Sequence, residues 1–576
     1  MKKIIIILIA FLLAVSLPVL SETYYVDKEG VHGGTTEPPD TLPPDPPIPG
    51  IELDDVMTIL SYNWNSMSEA ERFSLKKAAE EKSCPDFIDD YVPPTVPITT
   101  LATPLAAYGN GLSWETAFSK INDAIEVMHP GDTIWVAPAY YLERISLGNF
   151  GNEPQNVKTY ILGEDMENTY ILGGNIIENT WLVHYQDNTY YLANVDQAAI
   201  KGVACNQGEI YPPVNPRLYV NNPVELKAMK YNCKWRPFAN KQADNADSNP
   251  IKSLSDCLNR PGSFWVEGAR LYINFPYPVD MNKLFVYYYY FVSNETYSKG
   301  IYLNNSANLV IKDFSVIGYV SSVNINQSHD ITLENIRTFG SHDATRGTEP
   351  NGNGMYFNTC DKITLKNCEI GNSNQISTEM QAHNAYGPWG LYFTNCGNLD
   401  VKDVFVWECQ NAGSVGGSIN AILDNVQWYD CRNHGMYCNS NSNITWKNCK
   451  GGWFCQDGIT FSSCNKLTIE HCVLDGVASI ADVVGPNQSR DVLIHNNVFN
   501  DDKYAYTFGA SNLDVPILLK EYITYNNVFT VYTSDKVINK DLPGCGYTLP
   551  CIQALTNKWG DKLDKGSIVL DKRIEW

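Results

Sequence analysis

Five polar side chains in the second half of the chain have spacings that could support acid–base chemistry. Glu408 and Asp430 are 22 residues apart, His434 and Asp457 each precede a glycine, and Arg432 lies between the two pairs. If the chain repeats with this period, the two carboxylates stand on neighbouring turns, roughly 5 Å apart. Retaining glycosidases use a similar separation between a nucleophile and a general acid. Mutual repulsion would leave one carboxylate ionised and the other protonated.

Other interpretations of these residues are open. An acidic chain carries many solvated carboxylates on turns, so such columns also arise by chance, and His434 alone is typical of a turn histidine. A rival site lies in two longer loops and comprises His342, Asp343, Arg346, Glu349, Glu379 and His383. Asp475 and Asp482 are weaker candidates for binding Ca²⁺.

A repeat must position these side chains. Gly435 precedes Asn448 by thirteen residues, and five or more other pairs keep this offset: Gly300/Asp313, Ser322/Asn335, Gly354/Asn367, Gly390/Asp403, Gly458/His471 and Val483/Asn496. The second members recur every 22–25 residues, apart from steps of 32 and 36 residues. A fixed period in this range indicates a solenoid. Apolar residues alternate with period two inside each repeat, so the coils are predicted to be β-strands.

The Asn/Asp column predicts a tight turn. These side chains tolerate a left-handed backbone and can bond to one another from coil to coil. We therefore expect Asn448 to form a ladder with Asn425, with no catalytic role for the column.

The chain resembles a right-handed parallel β-helix of the pectate-lyase-like superfamily. Besides the repeats, the resemblance rests on "GNGLSWETAFSKINDAIEVMHPGDTIWVAPAYYLERISL" (109–147), where a helix caps the coil and the strand after Pro130-Gly131-Asp132 begins it. Ala139 stands where this family usually has glycine. The resemblance covers about 108–175 and 299–530 and implies an all-β solenoid. It does not select a function, because the scaffold carries lyases, hydrolases, epimerases and adhesins.

Composition shifts predict seven segments. They are a signal peptide (1–21), an N-terminal strand (22–32), a Pro-rich linker with a small helical module (33–107), the cap helix and first coils (108–175), an inserted small β domain (176–298), the β-helix repeats (299–530) and a C-terminal cap (531–576). The signal peptide predicts a secreted, periplasmic or cell-surface protein. No other run is long enough to span a bilayer.

The net charge of −22 argues against nucleic acid as a partner and leaves a polysaccharide or oligosaccharide, either neutral or anionic and bridged by Ca²⁺. The 16 cysteines include no CxxC, so a zinc site of the usual spacing is not expected. We expect the disulfides Cys233–Cys257 and Cys545–Cys551. Three columns could hold disulfides or packed thiols: Cys360, Cys396 and Cys464; Cys368, Cys449 and Cys472; Cys409 and Cys431.

The two long steps predict a groove. Their extra residues form loops at 341–353 and 372–389, which should overhang the first strand of the following coils. Tyrosines point outward there, two residues past the glycine column: Tyr302, Tyr356, Tyr392 and Tyr437. With Trp389 they could form a sugar platform, to which His342, Arg346, Glu379 and His383 would add contacts. Ordinary cross-strand stacking is the alternative.

Three function classes follow. A carbohydrate-active enzyme is favoured, with a glycoside hydrolase ahead of a lyase because the 176–298 insert resembles that of several exo-acting hydrolases. A Ca²⁺-dependent polysaccharide lyase would use Arg432 or Arg346 as base, whereas the hydrolase needs no cofactor. The polygalacturonase aspartates are missing from "NGNGMYF" (351–357). A non-catalytic surface or matrix protein is the third class.

Overall fold

The computed structural model describes most of the predicted solenoid. The described residues are 23–27, 111–152, 157–173, 175–177, 183–187, 189–193, 200–205, 236–237, 253–259, 263–275, 286–290, 299–343, 352–371, 374–375, 389–407, 409, 411–429, 431, 434–452, 457–482, 489–508, 519–531, 549–554 and 561–570. The predicted signal peptide and the Pro-rich linker with its helical module lie outside them.

Strands of successive coils pair in parallel and in register, which confirms the predicted all-β parallel β-helix. Each coil contributes to three ladders, which we call sheets 1, 2 and 3. Sheet 1 contains Ile145–Gly148, Lys299–Asn304, Ser321–Asn326, Met355–Asn358, Trp389–Thr394, Asn411–Gly416, Met436–Asn439, Asp457–Ser462 and the ends of Val473–Asp482 and Val498–Phe508.

Long strands turn the corner between sheets 2 and 3. Their first halves belong to sheet 2 and their second halves to sheet 3: Ala307–Ile317, His329–Phe339, Asp361–Gly371, Gly397–Trp407 and Ile419–Tyr429. Sheet 2 also contains Thr23–Val26, Thr133–Val136, Thr159–Gly163, Ser442–Lys447, Asn465–Glu470, Arg490–His495 and Tyr522–Tyr525. Sheet 3 also contains Ala139–Tyr141, Thr169–Leu172, Lys450–Gly452, the starts of Val473–Asp482 and Val498–Phe508, Val528–Val531 and Ile568–Leu570.

Smaller elements accompany the solenoid. Two four-stranded antiparallel sheets contain Asn175–Ile177, Ile200–Cys205, Arg236–Pro237 and Val286–Tyr290, and Val183–Gln186, Thr189–Ala193, Ser263–Glu267 and Arg270–Asn274. The short strands His342–Asp343 and Asn374–Gln375 pair in parallel. The helices are Trp114–Thr116, Ile121–Val127, Leu254–Leu258, Leu519–Glu521 and Leu549–Ala554. None of these described helices is long and apolar enough to cross a membrane.

The helix Ile121–Val127 is the predicted N-terminal cap. Ile121 and Ala124 are buried in the core of the first coils. The Glu143 carboxylate accepts hydrogen bonds from the backbone N–H groups of Ile121 (2.8 Å) and Asn122 (3.0 Å) at the helix start. A carboxylate there satisfies free amides and complements the positive end of the helix.

The glycine column marks the corner where each coil enters sheet 1. A Cβ atom on Gly390 would lie 2.5 Å from Val406 Cγ1, and one on Gly435 would lie 2.2 Å from the Gly458 carbonyl oxygen. The chain therefore turns inward at this position, where a side chain has no room.

The Asn/Asp column adopts the predicted left-handed backbone, with φ between 51° and 65° at nine positions: Asp313, Asn335, Asn367, Asp403, Asn425, Asn448, His471, Asn496 and Asn526. The ladder forms between Asn335 and Asp313 (2.6 Å), Asn367 and Asn335 (2.7 Å), and Asn425 and Asp403 (2.7 Å).

The expected Asn448–Asn425 bond is wrong. Asn448 Nδ2 donates to Asp424 Oδ1 at 2.8 Å, while the Oδ1 of Asn425 accepts from Gln427 Nε2 at 2.9 Å. Gln427 occupies the acceptor that Asn448 would need, so the amide turns to the neighbouring carboxylate.

The described cysteines are free thiols buried in the protein. The expected Cys233–Cys257 disulfide is wrong, because Cys257 is a free thiol that accepts a hydrogen bond from Ser263 Oγ at 3.4 Å. Every member of the three cysteine columns is also free, so these columns pack as small apolar side chains. Cys545–Cys551 lies outside the residues whose side chains are described.

Candidate functional site

The outer face of sheet 1 presents three rows of side chains that run along the solenoid axis. The leading row stands one residue before the glycine column: Lys299, Ser321, Asn353, Trp389, Asn411, His434 and Asp457. The tyrosine row contains Tyr302, Asn324, Tyr356, Tyr392, Ser414, Tyr437 and Thr460. The amide row contains Asn304, Asn326, Asn358, Thr394, Gly416, Asn439 and Ser462.

Aromatic side chains meet at the centre of this face. The Trp389 ring stacks on Tyr392 with centroids 5.9 Å apart and lies 6.2 Å from Tyr437. Tyr356 lies 5.4 Å from Tyr392 on the next coil. The three tyrosines are half-buried, so part of each ring faces outward. The structure thus brings together Trp389, Tyr356, Tyr392 and Tyr437 of the predicted platform.

Buried asparagines fix the backbone beneath this cluster. Asn353 Oδ1 accepts a hydrogen bond from the Trp389 N–H (2.8 Å), and Asn411 Oδ1 accepts one from the His434 N–H (3.3 Å). Both asparagines are 0% exposed. Each amide therefore holds the residue before the next glycine, and with it the start of the strand that carries the tyrosine.

His434 joins the edge of the aromatic cluster, 6.2 Å from the Tyr437 ring. Burial lowers the pKa of His434 to about 4, because the charged imidazolium loses its hydration there. The ring is therefore neutral at neutral pH and offers hydrogen bonding rather than a positive charge. Burial also raises the pKa of the Tyr392 hydroxyl, so that side chain stays protonated.

Part of the predicted carboxylate cluster can be placed. Met436 pairs with Ile459, so His434 and Asp457 occupy the same position on neighbouring coils, as expected. Asp457 begins a strand of sheet 1, and only its backbone is described. Glu408, Asp430 and Arg432 lie outside the described residues, directly after the paired residues Trp407 and Tyr429 in the first two cases.

The rival loop site is described only at its base. His342 and Asp343 pair with Asn374 and Gln375 through their backbones. Arg346, Glu349, Glu379 and His383 lie outside the described residues. Asp475 and Asp482 belong to the strand Val473–Asp482. Within the described part of the chain, no group of three or more His, Cys, Asp or Glu side chains could hold a metal ion.

The sequence interpretation missed a buried charge network on the outer face of sheet 3. Arg337 Nε donates to Glu369 Oε2 (2.8 Å), and Arg337 Nη2 donates to Glu167 Oε1 (2.6 Å). Trp407 Nε1 donates to Glu369 Oε1 at 2.9 Å. Arg337 and Glu369 are 32 residues apart, which equals the longer step from Asn335 to Asn367. The repeat register therefore contained the signal for this pair.

The amide row was also missed. Asn304, Asn326, Asn358 and Asn439 each stand four residues past the glycine position, a spacing visible in the sequence. Asn326 Nδ2 donates to Asn324 Oδ1 at 2.6 Å, which links the amide row to the tyrosine row. The platform is thus bordered by side chains that both donate and accept hydrogen bonds.

Comparisons with known proteins give distant structural similarity. No protein-family model matches the chain, and no curated protein matches it. Similar solved structures include XylC in complex with xylose (12% identity, 76% of this chain and 85% of that chain, TM-score 0.35). Two others are a GH136 lacto-N-biosidase from Eubacterium ramulus (9%, 81% and 66%, 0.39) and the catalytic domain of a GH87 α-1,3-glucanase in complex with nigerose (10%, 72% and 58%, 0.34). The chain spans about two thirds and less of the latter two. Similarity at this level carries no argument about activity.

Proposed function

We propose that the protein binds a glycan on the outer face of sheet 1 and cleaves it as a glycoside hydrolase. The observation that carries this proposal is the stack of Trp389 on Tyr392, with Tyr356 and Tyr437 beside it. Aromatic faces pack against the apolar faces of sugar rings, while ring edges and hydroxyls hydrogen-bond. The amides beside them can pair with sugar hydroxyls. We further propose that the protein is exported, so that it meets polysaccharides outside the cell.

The chemistry of the proposal rests on Glu408 and Asp430. In a retaining mechanism one of them protonates the leaving oxygen while the other attacks the anomeric carbon, and water then releases the glycosyl group. Trp407 and Tyr429, which precede them, pair on adjacent coils, and this register supports placing the carboxylates side by side. Arg432 would stabilise the carboxylate that stays ionised. Asp457 and His434, at the leading row, would contact the substrate or orient water.

Cleavage tests this assignment. We expect Glu408→Gln and Asp430→Asn each to lower the release of reducing ends from polysaccharides at least about a hundredfold, since a positioned acid or base contributes on this order. Melting temperatures should stay near that of the unchanged protein. The matched controls Glu379→Gln and Asp343→Asn, in the long loops, should do less.

Other results would redirect the proposal. Loss of cleavage in the loop variants alone would move the site to 341–389. Unsaturated products that require added Ca²⁺ would identify a lyase. Absence of cleavage by the unchanged protein on every polysaccharide, with binding retained, would leave a non-catalytic glycan-binding protein.

Binding tests the platform separately. We expect Trp389→Ala to weaken glycan binding about tenfold or more, because it removes the central stacking face. Tyr160→Ala is the matched control, since Tyr160 is an exposed aromatic on sheet 2. Equal weakening by both variants would contradict a site on sheet 1.

A further inference from the structure

The described outer face of sheet 1 carries few charges. Apart from tyrosines, its three rows contain three ionisable residues, Lys299, His434 and Asp457, and no arginine or glutamate. The Lys299 ammonium lies 4.3 Å above the Tyr302 ring, three coils before Trp389, so it is occupied at one end of the face. His434 contributes no positive charge at neutral pH.

Recognition of an anionic polymer needs the opposite composition. Carboxylate and sulfate groups are held by arginine and lysine, often through paired charge-assisted hydrogen bonds. The protein as a whole has a net charge of −22, which repels a polyanion over the range that salt does not screen. A polyanion on this face would meet aromatic rings, hydroxyls and amides in the described rows.

These side chains fit uncharged hydroxyl groups instead. Asparagine offers both donors and acceptors, as a sugar diol does, and the amide row repeats this group along the axis. Asn358 lies on the same strand as Tyr356 and next to the strand of Tyr392, so a ring stacked on these tyrosines would have its hydroxyls beside an amide. Asn439 stands in the same relation to Tyr437.

We infer that the glycan bound along sheet 1 is a neutral one, lying parallel to the solenoid axis across Tyr356, Tyr392 and Tyr437. This inference rests on the proposed function and goes beyond it, because the hydrolase proposal alone leaves neutral and anionic substrates open. Net neutrality of the ligand also removes any need for bridging Ca²⁺.

The test compares two sets of soluble polymers by affinity electrophoresis and calorimetry. The neutral set contains a β-glucan, a xylan and a galactomannan; the anionic set contains polygalacturonate, alginate and chondroitin sulfate. We expect binding from the neutral set only. The affinity should change less than about twofold between low and high NaCl, since no ion pairs are screened. Asn358→Leu should weaken binding about fivefold, the loss expected for a hydrogen bond or two.

The controls separate the inference from the proposed function. Lys299→Met, which removes the one described lysine of the face, should leave neutral binding unchanged. Binding of an anionic polymer that is lost in Trp389→Ala, falls steeply with salt, or requires Lys299, Arg346 or Arg432 would overturn the inference while leaving the sheet 1 site intact. If neither set binds in a Trp389-dependent manner, the platform itself fails, and the proposed function fails with it.

Discussion

His434 shows how the aromatic site shapes the chemistry of a single residue. Its pKa is lowered to about 4 by burial, whereas an unfolded histidine titrates near 6.5. Protonation therefore favours the unfolded chain. The stability that His434 contributes is fully present above about pH 6.5 and is lost as the pH falls toward 4, by up to about 3 kcal/mol.

The residue-scale prediction is a pH profile. His434→Gln keeps a neutral polar side chain and removes the titration, so its melting temperature should fall less between pH 7 and pH 4.5 than that of the unchanged protein. Thermal unfolding followed by circular dichroism at both pH values measures the difference. Parallel profiles for the two proteins would show that His434 is solvated, contrary to the structure.

Single residues also show what sequence reasoning could reach. Trp389 and the tyrosines were placed on one face because the strand period of two is unambiguous. The partner of Asn448 was not, because the choice between Asp424 and Asn425 depends on Gln427, which occupies one acceptor. Such competition among local hydrogen bonds is invisible to spacing alone. Glu408, Asp430 and Arg432 keep their roles as predictions.

At the scale of elements, the corner into sheet 1 depends on close backbone approach. A Cβ on Gly435 would lie 2.2 Å from the Gly458 carbonyl oxygen and 2.5 Å from Trp428 Nε1. Gly435→Ala should therefore reduce the free energy of unfolding by about 3 kcal/mol, since a packed backbone cannot yield as a side chain would. Chemical denaturation measures this loss.

Gly416→Ala is the matched control. Its added Cβ would meet only the Phe393 carbonyl oxygen, at 3.8 Å, which is an ordinary contact. We expect a change within about 0.5 kcal/mol, or slight stabilisation through the unfolded chain. If both alanine variants behave alike, the glycine column is not a steric requirement.

The strands below the two long loops are joined by the Arg337–Glu369 pair. Arg337 is 1% exposed, so Arg337→Met would leave the Glu369 carboxylate without its guanidinium partner in a buried setting. The expected cost is about 3–5 kcal/mol. Arg337→Met with Glu369→Gln should recover part of it, because glutamine still accepts from Trp407 Nε1.

A surface pair calibrates this measurement. Lys158 and Asp330 form a 2.7 Å ion pair whose side chains are 31% and 37% exposed. Lys158→Met should cost less than about 1 kcal/mol. A similar loss for Lys158→Met and Arg337→Met would mean that the buried network is solvated.

For the whole molecule, the distinctive expectation concerns its thiols. Ten described cysteines are free and buried. Alkylation without reductant should therefore modify these ten only after unfolding, as read by peptide mass spectrometry. A disulfide-linked peptide that contains Cys360, Cys396 or Cys257 would contradict the thiol packing. Export alone suggested oxidation, but the solenoid core uses these side chains as small apolar groups.

The solenoid could be recognised from sequence because its register is written as a fixed interval. Gly435 to Asn448, and Gly390 to Asp403, each span thirteen residues, so one pattern predicts strands, corners and facing side chains together. The buried pair Arg337–Glu369 required knowing that a 32-residue step still keeps register across a loop. The disulfide expected for Cys257 failed because pairing was argued from compartment rather than from packing.

That fixed interval has a consequence for how such a protein can change over evolutionary time. From the glycine through the Asn/Asp turn, each coil is held by left-handed residues and side-chain ladders, so an insertion there would displace every later coil. Extra chain is tolerated after sheet 3, where the loops 341–353 and 372–389 begin beside the strands that lead back to sheet 1. Lineages of this scaffold should therefore diversify at one corner, and ligand range can be altered by loop exchange there without touching the repeat.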